Sequence, residues 1–148
     1  MLVKPLLDKV LITLEIEDKT SILILLTKEG EISRKGDGNP HNELPLMQGV
    51  SDDGHFEALM MTVSEDIFNY VGVINQPGRI GRTCRLSLIF QGKSDVDYSF
   101  RVVYGEDSQG PPVELAQILI NAVKITEPWY QEQLKPKPEE KKWWQVWK

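Results

Sequence analysis

At 148 residues with 41% hydrophobic content, the chain has the length and apolar supply of one domain with a single core, and is too short for two. Its net charge of −5 is unevenly divided, because Lys135 to Lys148 holds five lysines and two glutamates, net +3, which leaves −8 on residues 1–134. An acidic body without a basic stripe excludes nucleic acid as a natural partner, a lone cysteine (Cys84) excludes an internal disulfide and fits a reducing compartment, and no stretch reaches membrane-spanning length, so the expectation is a soluble, cytoplasmic protein without a membrane span.

Residues 1–9 interrupt their apolar positions with Pro5, Asp8 and Lys9 and so lack the apolar run of a secretory signal. From Lys9 to Glu17, Val10, Ile12, Leu14 and Ile16 alternate with more polar residues, the period of a strand with one buried face. The run Ile22–Leu26 is apolar on both sides, which predicts a central strand covered on both faces. Pairing Ile16 with Ile22 across a three-residue loop keeps the inward faces aligned, and Lys28-Glu29-Gly30 turns the chain into a third strand from Glu31 to Arg34.

Lys35 to Gly54, rich in glycine, proline and asparagine, reads as a long irregular loop. Beyond it Phe56, Leu59, Met60, Val63, Ile67 and Val71 recur at helical spacing, broken near Thr62, where Ser64 suits an N-cap; two short consecutive helices are predicted. Residues 75–81 are turn material. A hairpin follows with Cys84, Leu86, Leu88 and Phe90 facing Val96, Tyr98, Phe100, Val102 and Tyr104. Matching those faces requires a three- or five-residue connection, and three would set Arg85 against Arg101, so five is preferred unless an acidic neighbour separates them. A last helix with Leu115, Ile118, Leu119, Ala122 and Val123 on its apolar face starts near Pro112 and is expected to stop at Pro128, with Trp129-Tyr130 as a hydrophobic cap.

The predicted fold is α+β, an antiparallel sheet of about five strands in the order β-β-β-α-α-β-β-α, with helices packed on one face. Residues 1–134 form the domain, and residues 135–148 a charged Pro/Lys linker and tail. The element order is similar to that of the small acidic chaperones of bacterial secretion systems, which also lay helices against an antiparallel sheet. This chain departs from them in lacking a first helix, and order alone implies no function.

Few residues carry chemistry. His41 and His55 lie in or beside the long loop with Asp52 and Asp53, but their spacing matches no metal-ligand pattern, and no cofactor is expected. Cys84 sits on the inward face of its strand as a structural thiol. Arg79, Arg82, Arg85 and Arg101 are candidates for an anion or an acidic partner, since guanidinium forks suit carboxylate and phosphate. The anomaly is the tail: Trp129, Trp143, Trp144 and Trp147 are all the tryptophans of the chain, and the last three fall within five positions beyond a Lys-Pro linker. Tryptophan is the residue most enriched at binding hot spots, and it is poorly placed in water. Three destinations compete for this peptide: the chain's own acidic body, a groove on another protein, and a membrane interface. The leading expectation is a non-enzymatic interaction domain of adaptor, chaperone-like or inhibitor-like type that docks on another protein through Trp143, Trp144 and Trp147, with homo-oligomerisation left open. The competing expectation is an enzyme or a small-ligand or metal-binding domain with its site in residues 35–55.

Overall fold

Alternation of apolar and polar residues sets one inward side on each long strand, and that side builds the core. In the computed structural model, which describes residues 7–39, 42–70, 72–75, 79–92, 97–108 and 110–135, the elements are β1 (Leu7–Ile16), β2 (Lys19–Thr27), β3 (Glu31–Lys35), β4 (Met47–Val50), α1 (His55–Thr62), a 3₁₀ helix (Glu65–Tyr70), β5 (Gly72–Asn75), β6 (Thr83–Gly92), β7 (Asp97–Gly105) and α2 (Val113–Leu134). The strands form one seven-stranded sheet in the order β4-β3-β2-β1-β6-β7-β5. Five neighbouring pairs are antiparallel and β5 runs parallel to β7.

The sheet is therefore mixed and seven-stranded, not antiparallel and five-stranded as the sequence predicts. The two missed strands are four residues long, too short to show a period. β4 contains Gly49 and lies mostly exposed at one edge; it is paired to β3, with Trp129 of α2 against Gly49. It occupies part of the stretch read as irregular loop. At the opposite edge, β5 lies between the predicted second helix and the predicted turn, taking Asn75 from the latter. Its parallel pairing needs the long crossover through β6, which local pattern does not reveal.

At the β1–β2 turn the three-residue loop is also corrected. Glu17 and Asp18 both have positive φ, 49° and 66°, the requirement of a two-residue I′-type turn. Ile16 then pairs with Lys19, while Leu14 pairs with Ile22 and Glu15 with Thr20, so Ser21 is an extra residue in a β-bulge. The bulge restores the phase that the shorter turn would break, and Ile16 and Ile22 both reach the core.

The inward residues of β1, β2, β6 and β7 join Phe56, Leu59, Val63 and Ile67 and the α2 residues Leu115, Ile118 and Ala122 in one core cluster. Its helical layer is two α-helices and one 3₁₀ helix rather than three α-helices. Ser64 opens the 3₁₀ helix by accepting the Asp66 N–H at 3.2 Å. Phe68 anchors it edge-on against Tyr98, with ring centroids 5.1 Å apart, and sits 6.0 Å from Phe90 and Phe100. Aromatic pairs of this kind add about 0.5–1.5 kcal/mol each beyond the area they bury.

α2 does not stop at Pro128. It runs to Leu134 with Thr126 and Tyr130 continuing its buried stripe, so Trp129 and Tyr130 are helical residues and not a cap. Proline removes one helix hydrogen bond and crowds the carbonyl four residues earlier, which ends most helices. Here the turn is held both from within the helix and from outside. The Thr126 hydroxyl donates to the Ala122 carbonyl at 2.7 Å, and Arg34 of β3 donates to that of Val123 at 3.3 Å.

Candidate interaction surfaces

Arg34 alternates in phase with Ile32 and therefore points into the core, where its side chain is fully buried. Burying an unpaired guanidinium is prohibitive, and each of its nitrogens has a partner. Nε donates to the Gly36 carbonyl at 3.0 Å, Nη1 to Thr126 Oγ1 at 3.0 Å, and Nη2 to Glu127 Oε2 at 2.9 Å. The guanidinium carbon lies 4.7 Å from the centroid of the Tyr130 ring. The Tyr130 hydroxyl donates to the Pro45 carbonyl at 2.7 Å and accepts the Gly36 N–H at 3.0 Å. β3, the chain after it and the last two turns of α2 are thus locked as one body, so the linker that begins at Lys135 leaves a fixed base. Sequence alone gives Arg34 no role and places Tyr130 only as a cap. The available signal was an arginine in phase with inward-facing Ile32.

The far side of the sheet is a second surface. Leu25, Leu11 and Ile89 stand side by side on β2, β1 and β6, with Leu23 one step along. Each is partly exposed, and none belongs to the core cluster or packs against it. Among the described residues no helix lies on this side. Leu23 and Leu25 lie partly exposed on this side, where the neighbouring Thr27 and Ser33 are buried.

Two of the candidate arginines, Arg85 and Arg82, pair with carboxylates. Arg85 Nη1 pairs with Asp18 Oδ1 at 2.6 Å, and Arg79 shares with them a cleft of about 400 Å³ that Glu17 also lines. Arg82 Nε donates to Glu106 Oε2 at 2.6 Å. The register puts Arg85 opposite Val103 and Arg101 opposite Ser87, and Gln91 opposite Asp97, which leaves five residues for the connection and keeps the arginines diagonal rather than facing. Arg101, exposed on the bare face, has no ion-pair partner among the described residues. The geometry joins Arg79 and Arg85 in a cleft of mixed charge and sets Arg82 and Arg101 apart from it. Exposed pairs of this kind contribute about 0–1 kcal/mol each.

Asp52 and His55 border a cleft of about 380 Å³ with Lys28, Glu29, Glu31 and Glu57. Asp53 follows in the same turn, its N–H bonded to Ser51 Oγ at 3.2 Å, and His41 lies outside the described residues. Among the described residues no cluster of three or more histidine, cysteine, aspartate or glutamate side chains is placed to hold a metal ion. Trp143, Trp144 and Trp147 also lie outside the described residues. No described helix is long and apolar enough to cross a membrane.

Cys84 is 3% exposed, opposite Tyr104 in the hairpin. Burial, above all, pushes its thiol up from its ordinary value, and burial next to the thiol pushes the Tyr104 hydroxyl up to about 12. Two results are expected. Cys84 in the native protein resists a thiol-specific reagent such as DTNB at pH 8 and reacts on unfolding in urea. Because both groups hold their protons longer when folded, their contribution to stability is complete below about pH 9 and is lost as pH rises toward 12, read as a falling urea midpoint. Rapid native labelling would contradict the first, and a flat midpoint over that range the second.

No protein-family model matches the chain, and no curated protein matches it.

Proposed function

We propose that this is a non-enzymatic protein-interaction domain that docks on another protein through Trp143, Trp144 and Trp147. One observation carries the reading: three tryptophans within five residues, beyond a charged Pro/Lys linker. A linker of that composition has too few apolar residues to build a core of its own, and three indoles in water gain strongly from an apolar groove. The Arg34 network supports it by holding α2 firm to its last turn, which limits the freedom lost when the peptide engages. Lysines on both sides of the tryptophans favour an acidic rim around the partner's groove.

The test is a capture comparison between the full chain and a full-length variant with Trp143, Trp144 and Trp147 replaced by alanine, both shown to unfold at the same urea concentration. A partner held by the wild type and lost from the variant is the expected result. An identical retained set would overturn the reading.

A further inference from the structure

The bare side of the sheet asks for an occupant of its own. Its centre is apolar, yet its rim is of mixed sign, with Lys9, Lys35, Arg85 and Arg101 against Glu15, Glu31 and Asp97. A segment with a strong net charge, such as the +3 C-terminal stretch, finds no matching field there. A face that carries both signs in near balance is complementary to itself. We propose that two copies of this chain pack face to face through this side of the sheet.

Position along β1 makes the proposal specific. Lys9, Leu11, Thr13 and Glu15 follow one another on the bare side, and neither Lys9 nor Glu15 has an ion-pair partner among the described residues. A two-fold axis that crosses the strands between Leu11 and Thr13 exchanges the two ends of this series. It sets Lys9 of each copy over Glu15 of the other and Leu25 of each copy over Leu23 of the other. Such an interface is isologous, the same patch on both subunits, as a closed dimer requires. Four strands of nine or ten residues, roughly 30 Å long, and the five-residue β3, roughly 17 Å, about 4.8 Å apart, present on the order of 650 Å² per copy, somewhat below the ~800 Å² per partner of a stable complex. Stacked sheets of this kind pack about 10 Å apart with their side chains interleaved, which the single layer Leu11, Leu23, Leu25 and Ile89 from each copy fills.

Sedimentation velocity of the full chain from micromolar to hundred-micromolar concentration tests this. A species of twice the 16.9 kDa chain mass is expected. Ile89→Glu should abolish it, and Lys9→Glu, which sets like charges over one another, should weaken it by about tenfold or more. The double reversal Lys9→Glu with Glu15→Lys restores opposite charges across the axis and should recover most of that loss. This rescue separates an interface effect from a folding defect. A chain that is monomeric throughout would overturn the proposal, as would a dimer insensitive to both Ile89→Glu and Lys9→Glu, or a double reversal no better than the single one. A monomer in which Ile89→Cys is shielded from a thiol reagent would assign the face to the chain's own C-terminal segment and equally overturn it. The capture result with the tryptophan variant is independent of all these outcomes.

Discussion

Arg34→Ala is expected to lower the stability of the domain by about 3–5 kcal/mol, the range for breaking a buried, fully paired charge. The loss is not that of one bond. Removing the guanidinium strips a donor from the Gly36 and Val123 carbonyls, from Thr126 and from Glu127, and takes a cation from the face of Tyr130. Arg34→Lys should fall almost as far, because one ammonium cannot reproduce a planar fork that reaches three directions. Glu127→Gln is the contrast. The Glu127 side chain is 40% exposed, and an amide oxygen still accepts from Nη2, so about 1 kcal/mol or less is expected. Urea unfolding of the four proteins, followed by circular dichroism, decides it. Equal losses for Arg34→Ala and Glu127→Gln would mean that the ion pair alone, and not the network, holds the helix.

Gly36→Ala should cost a similar amount, about 3–5 kcal/mol, with no charge involved: left-handed backbone and a forced contact each contribute roughly 1–3 kcal/mol. Gly36 has φ +81°, and a methyl group there would overlap the carbonyl oxygen of Ser21. That carbonyl cannot retreat freely. It belongs to the β-bulge and accepts the Gly38 N–H at 3.2 Å. Displacing Gly36 also disturbs both of its contacts in the network, the carbonyl on Arg34 and the N–H on Tyr130. Gly49→Ala makes a fair comparison, since the added methyl would meet only the Trp129 ring at 3.2 Å, a side chain able to shift by a few tenths of an ångström. A loss of about 1 kcal/mol or less is expected for it. If the two alanines are equivalent in urea unfolding, the close approach at Gly36 is not a constraint on the fold.

The long elements were readable from the sequence because a period needs length to declare itself. β1, β6 and β7 span nine or ten residues, and their inward positions were identified from alternation alone. β4 and β5 offer four residues each, and their places are fixed by partners far along the chain, Glu31–Arg34 and Phe100–Val103. The apolar run of β2 marks a central strand whose two sides differ: Ile22, Ile24 and Leu26 lie in the core, and Leu23 and Leu25 lie partly exposed on the other side with Leu11 and Ile89. Pro128 ends a helix by propensity, while a tertiary contact from Arg34 and the local bond of the Thr126 hydroxyl to the Ala122 carbonyl sustain α2 through it. Of the candidate sites, the tryptophan peptide is purely a feature of sequence. The pairing of Arg85 with Asp18 and of Arg82 with Glu106 was invisible until the turns were placed.

The Arg34 network also bears on how the chain comes to be folded during translation. The arginine precedes its partners on α2, from Val123 to Tyr130, by 89 to 96 residues, so it is synthesised long before any of them exists. Until residues 123–130 have been made, only the Gly36 carbonyl is there to compensate the guanidinium for leaving water, too little for it to be buried. Hairpins such as β1–β2 and β6–β7 can pair as they emerge, but the flank of the core beneath β3 cannot close. A nascent chain that lacks those residues would expose that flank to proteases and chaperones, and sealing it becomes the step that reports a nearly completed domain.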